Sequence, residues 1–97
     1  MKLKSYQRAF LRSQAQSLSP VVNVGKDGFS DGVAEHLDAA LTSHELVKVR
    51  FQNSKDQVME ISRMLEERTG SVIVATTGFT TVFFRQDPDD PDRIYRI

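Results

Sequence analysis

Cysteine is missing from the 97 residues, and its absence excludes a disulfide framework, thiolate zinc sites and thiol redox chemistry. Long hydrophobic runs are missing too, since no apolar stretch approaches the length that crosses a membrane. Lys2 and Lys4 flank Leu3, which makes the start too polar for a secretory leader, and a cytoplasmic protein is expected. No segment repeats at a fixed period. Catalytic patterns are also lacking. Neither a Ser-His-Asp set nor a metal-ligand spacing can be read, and the acids near the C-terminus do not follow a calcium-loop pattern. His44 extends the apolar stripe of a predicted helix, where it can pack and bond the last carbonyls; His36 lies at the edge of that stripe. No enzyme, cofactor or metal is expected.

What remains is a length suited to one domain and a hydrophobic fraction of 39%, enough for a modest core. The formal net charge is zero but unevenly spread. Residues 1–26 carry Lys2, Lys4, Arg8, Arg12 and Lys26 and no acid. Residues 86–97 carry Asp87, Asp89, Asp90 and Asp92 against Arg93 and Arg96. A nucleic-acid surface requires a local positive field rather than a positive total.

Periodicity and turn residues give the element order. A first helix is predicted over 5–17, capped by Ser5, with Leu3, Tyr6, Phe10 and Leu11 as its apolar stripe and Pro20 beyond it. Val21 to Val24 read as a short strand, followed by the turn Gly25-Lys26-Asp27-Gly28. Ser30 caps a second helix over 31–43, with Val33, Leu37, Ala40 and Leu41 inward. A strand over 46–51 alternates Val47, Val49 and Phe51 with Lys48 and Arg50. A third helix spans 55–68, between Ser54 and Gly70. Strands over 71–76 and 79–85 flank a turn containing Thr77 and Gly78, which places Phe79, Phe83 and Phe84 in a strand and toward the core. The order α-β-α-β-α-β-β predicts an α/β fold with a mixed four-stranded sheet packed with three helices, one sheet face partly open at Lys48 and Arg50. Residues 1–85 then form the domain, and 86–97 an acidic tail that is extended or flexible.

Two features point to phosphate. Glycines at 25 and 28 let an anion approach the main chain between a strand and a helix N-terminus, with Lys26 adding a mobile charge. A loop of this form clamps backbone nucleotides in KH-type modules, although an ordinary strand-to-helix turn has the same composition. Asp27 puts an acid in the loop, to be accommodated by pointing away or by capping the second helix. Lys4, Arg8 and Arg12 recur every four residues and form a basic ridge with no acid on the first helix. Lys48 and Arg50 extend the candidate surface onto the sheet.

The stretch Ser19-Pro20-Val21-Val22-Asn23-Val24-Gly25-Lys26-Asp27-Gly28-Phe29-Ser30 resembles the signature of the CRM domain, the chloroplast RNA splicing and ribosome maturation family. The segment from Ala39 to Arg50 resembles that family's second motif at matching spacing, and the similarity runs over about residues 3–85. The chain's length is similar to that of the single-domain YhbY-type members. The resemblance implies a KH-like fold related to the C-terminal domain of translation initiation factor three. It implies RNA binding through the loop Gly25, Lys26, Asp27 and Gly28 and the adjacent basic residues Lys4, Arg8 and Arg12. For single-domain members it implies association with ribosomal RNA in precursors of the large subunit. A monomer is favoured. The alternative is a protein-interaction adaptor using the open sheet face or the acidic tail; a small hydrolase or nuclease is weaker, since no acid-base pair or metal set is visible.

Overall fold

The computed structural model describes residues 2–97. Three helices, α1 (Ser5–Ala15), α2 (Asp31–His44) and α3 (Lys55–Thr69), alternate with four strands, β1 (Val22–Val24), β2 (Leu46–Phe51), β3 (Val72–Thr77) and β4 (Thr80–Phe84). The sheet order is β1-β2-β4-β3. β1 runs parallel to β2, as a strand-helix-strand crossover requires, and the other pairs are antiparallel. The mixed four-stranded sheet with three helices is the architecture expected from the element order.

Local chemistry explains the boundaries. Ser30 Oγ accepts from Val33 N and Ser54 Oγ from Gln57 N, so both serines cap as their sequence positions predict. Gly70, at φ +66, terminates α3 in the left-handed conformation. At α1 the residue in the capping position is Lys4 rather than Ser5, and its N–H donates to Gln7 Oε1. The hairpin turn is Gly78-Phe79, one residue later than the sequence suggests. Thr77 pairs with Thr80, and Gly78 at φ +58 takes the first turn position, where glycine relieves the strain of positive φ.

The alternation along β2 divides the core in two. Val47, Val49 and Phe51 join Val22, Val24 and Phe83 beneath α2 and α3, with Leu37, Leu41, Val58, Ile61 and Leu65 from the helices. The opposite face gathers Leu46, Val74, Val82 and Phe84 under α1, which contributes Leu11 and Ala15, with Leu3 just before it. Tyr6 and Phe10 are not part of this core. They are 68% and 42% exposed, because α1 turns the side bearing Leu11 and Ala15 inward. Helix 1 therefore carries two apolar stripes, and only one of them is buried.

The C-terminal residues, read from sequence as extended or flexible, lie against the second core. Tyr95 and Ile97 pack there, and Tyr95 meets Phe84 edge-on with ring centroids 6.3 Å apart. The anchor is Glu45, a buried carboxylate that caps α2 at φ 64. Its Oε1 accepts from the main-chain N–H groups of Ile94 and Tyr95 and from Gln86 Nε2. These donors satisfy a carboxylate that would otherwise be costly to bury.

Candidate nucleic-acid interface

Lys48 and Arg50 alternate with the buried valines of β2, so they project on the α1 side of the sheet. Their register partners are Val82 and Thr80 on β4, and Asn23 on β1 lies beside Arg50. α1 covers only part of this face. Next to it runs an open groove of about 540 Å³ with Arg12, Gln16, Lys48, Thr77 and Thr80 among its lining residues, and no acid in its wall. Thus Arg12 from the helix and Lys48 from the sheet line one groove, and Arg50 lies on the same face two residues along β2.

The basic ridge on α1 does not act as a unit. Arg8 Nη1 donates to the carbonyls of Ile73 at 2.6 Å and Val74 at 2.8 Å. Those carbonyls sit at an irregularity of β3, the edge strand, where the register with β4 shifts between Ile73 and Ala75. On the same edge Ile73 N donates to Glu66 Oε2 at 2.6 Å. Arg8 and Glu66 thereby satisfy edge groups that would otherwise template another strand. Arg12 and Lys4 are exposed, and of the three Arg12 is the one at the groove.

The glycine loop stands at the end of β1, two residues beyond Asn23. Gly28 N donates to Gly25 O at 3.0 Å and closes the turn, leaving Lys26 and Asp27 exposed at its tip. The two glycines have different physical reasons. A Cβ on Gly25 would meet nothing within 4 Å, so its main chain is open to close approach. Gly28 has φ +78, and a Cβ there would lie 3.4 Å from Ile61 Cδ1. Gly28 is required by the turn, whose positive φ favours glycine. At the α2 N-terminus Ser30 Oγ accepts from Val33 N, as expected, and the Asp31 carboxylate, 2.6 Å from Arg68 Nη2, occupies the first turn, so that end already holds a negative charge. Asp27 takes no part in that cap and stays at the solvent-facing tip.

Sequence reasoning missed the segment that holds the loop. Phe51 N donates to Phe79 O, Gln52 N to Val24 O, and Asn53 Nδ2 to Gly25 O, at 2.8, 3.0 and 3.1 Å. Asn53 Nδ2 also reaches Lys26 O at 3.4 Å. Three consecutive residues thus fix the hairpin tip on one side and the glycine loop on the other. An asparagine after a strand gives no local sign of so distant a partner. Phe79 was also misplaced, because a one-residue shift of the turn moves it from the strand face to the tip, where it is 47% exposed. The histidines gather no partners into a site: among the described residues no group of three or more His, Asp or Glu side chains could hold a metal ion. Among the described residues no helix is long and apolar enough to cross a membrane.

Comparison with known proteins adds a family. The family model for the CRS1 / YhbY (CRM) domain matches residues 3–85. The chain is 33% identical to "Probable RNA-binding protein YqeI" of Bacillus subtilis, over 91% of this chain and 93% of that protein. It is 32% identical to a Haemophilus influenzae protein named "RNA-binding protein", over 86% of this chain and 85% of that one. A 30% identical stretch, 81% of this chain, matches 11% of the chloroplastic group IIA intron splicing facilitator CRS1 of maize, Zea mays. Among solved structures, the solution structure of SAV1595 from Staphylococcus aureus superposes with a TM-score of 0.80 at 31% identity. It covers 92% of this chain and 94% of that one.

Proposed function

The chain belongs to the CRS1 / YhbY (CRM) domain family, and on that premise we propose that it is a non-enzymatic RNA-binding protein that holds structured RNA by its phosphates. The observation that carries this reading is that Arg12 and Lys48 line one acid-free groove, with Arg50 on the same face of the sheet two residues along β2. Lys48 and Arg50 are separated by two strand residues, roughly 7 Å along β2. Asn23 and the open Gly25 main chain continue that line to Lys26. Such a band tracks a ribose-phosphate backbone without reading bases, and a net charge of zero does not oppose it because the groove itself holds no acid. The names of the bacterial relatives support RNA as the ligand class.

The finer reading is that the RNA is ribosomal, in precursors of the large subunit, and that the protein assists cytoplasmic ribosome assembly. It rests on the resemblance to single-domain family members and on a site suited to backbone rather than sequence readout. Lys4 and Lys26 add long-range charge, Asp27 moderates it, and Arg8 holds α1 in place so that Arg12 meets the groove.

The test replaces Arg12, Lys48 and Arg50 together with Gln and measures affinity for a structured RNA against salt. Each lost phosphate contact flattens the slope of log affinity on log salt by roughly 0.7 to 0.9. Binding should weaken, the slope should flatten, and co-sedimentation with large-subunit precursors should fall. A folded variant with an unchanged slope removes the sheet face from the site. Capture of a protein partner without RNA favours the adaptor alternative.

A further inference from the structure

Phe79 is the most exposed phenylalanine in contact with a cation, and neither the phosphate band nor the core uses its ring. It sits at the β3–β4 tip, 47% exposed, with Lys55 Nζ 5.8 Å from the ring centroid. Its backbone is fixed: the Phe79 carbonyl accepts from Phe51 N, and the turn is closed by the Thr77–Thr80 pair. A large apolar ring is thereby held rigidly in solvent rather than buried. The 51–53 segment that fixes it also fixes the glycine loop. β4 and β1 are separated by one strand, so the strands that carry the ring and the loop run about 10 Å apart and present both at the same end of the sheet.

We propose that Phe79 is a stacking platform for one unpaired RNA base, with Lys55 placed to meet the adjoining phosphate; this deepens the phosphate-binding reading above and rests on it. An aromatic ring accepts a base of any identity on its π-face, whereas paired bases inside a helix are not available to it. Lys55 stands over the ring, and with Phe79 47% exposed, ring surface remains accessible to a base. A cation beside an aromatic platform, next to an open glycine main chain, fits a nucleotide better than it fits an apolar peptide, which has no use for the charge. The protein then binds where duplex gives way to a loop, bulge or end: the sheet face holds the helical backbone and Phe79 takes the first splayed base.

The experiment compares two RNAs of equal length and phosphate count, a hairpin with an unpaired loop and a blunt duplex. Phe79→Leu keeps apolar bulk but has no π-face. Its affinity for the hairpin should fall about five- to hundredfold, with the salt slope unchanged and duplex binding intact. The chain has no tryptophan, so Phe79→Trp introduces a single indole. Its emission should be quenched by the hairpin far more than by the duplex, and its affinity should match or exceed the parent's. Hairpin binding unchanged in Phe79→Leu, an equal loss on both RNAs, or equal quenching by both overturns the stacking role. The Arg12/Lys48/Arg50 variant separates the two readings. If its salt slope flattens while Phe79→Leu is silent, phosphate binding stands without stacking; if the parent binds neither RNA, both fall.

Discussion

Two glycines three residues apart look interchangeable in sequence, yet their backbones are not. Gly28 lies at φ +78 with Ile61 closing on the place a Cβ would take. Alanine there imposes left-handed strain beside Ile61, and should lower stability by about 1–2 kcal/mol. Gly25 has an open environment and no positive φ, so Gly25→Ala should leave the urea midpoint almost where it was. If the loop main chain meets phosphate, Gly25→Ala weakens RNA binding while folding is intact. Urea unfolding of both variants, followed by affinity measurement on the folded ones, checks the division. An equal loss of stability in the two variants would contradict it. Only Gly25 is therefore a clean probe of the binding loop. Asn53 belongs to the same group of residues, because its amide restrains the carbonyls of Gly25 and Lys26 and so sets which way the loop presents its N–H groups.

At the scale of elements, what was legible in the sequence is what local chemistry determines. Ser30, Ser54 and Gly70 mark helix ends because caps act within a turn of the residue that supplies them. The alternation of β2 was legible for a similar reason: a period of two leaves Lys48 and Arg50 no place in the core. Helix α1 was misread because Tyr6 and Phe10 form as good an apolar stripe as Leu11 and Ala15, and only packing on β2 and β3 decides between them. The same packing decides Arg8. Its guanidinium bonds two carbonyls more than 60 residues away, a partnership invisible to periodicity. Arg8→Gln should cost about 1–2 kcal/mol, the range of charged hydrogen bonds discounted for partial exposure. It should also speed hydrogen exchange along β3 and leave the salt slope of RNA binding close to the parent's. Arg12→Gln should do the reverse, flattening the slope without changing stability. A basic triplet on one helix thus divides into a residue that positions the helix and residues free to meet phosphate.

On the scale of the whole molecule, the zero net charge conceals an uneven distribution. Basic groups line the groove on the α1 face of the sheet, while Asp87, Asp89, Asp90 and Asp92 follow β4 into a C-terminal segment that returns to the same face. Composition alone made that segment look unstructured, because its few apolar residues are scattered among acids. What docks it is one non-local carboxylate, Glu45, with Tyr95 and Ile97 filling the second core beside Phe84. The segment is thus a structural part of the domain, and a depression of about 310 Å³ between Tyr95, Ile94 and Lys48 joins it to the basic face. Removing residues 87–97 should lower stability by about 1–3 kcal/mol, from lost apolar burial and an undersatisfied Glu45.

The pH dependence reports whether Tyr95 is docked. Burial, then the nearby Glu45 charge, raises the Tyr95 hydroxyl above the ordinary tyrosine value of about 10. The folded state therefore favours the protonated phenol. Its contribution is full below the unfolded pKa and is lost as pH rises through the higher folded value. Stability of the full chain should fall over that alkaline window more steeply than stability of Tyr95→Phe, which keeps the ring and has no proton to lose. The truncated chain should lack the same increment. Urea midpoints of the three proteins at neutral pH and at successive alkaline values provide the measurement. Parallel curves for the full chain and Tyr95→Phe would mean that folding does not raise the phenol's pKa. A truncated chain as stable as its parent at neutral pH would mean that the docked segment contributes nothing to the fold. The RNA face gives an independent readout: if the acids of the segment screen Lys48, truncation tightens RNA binding at low salt and the gain disappears at high salt.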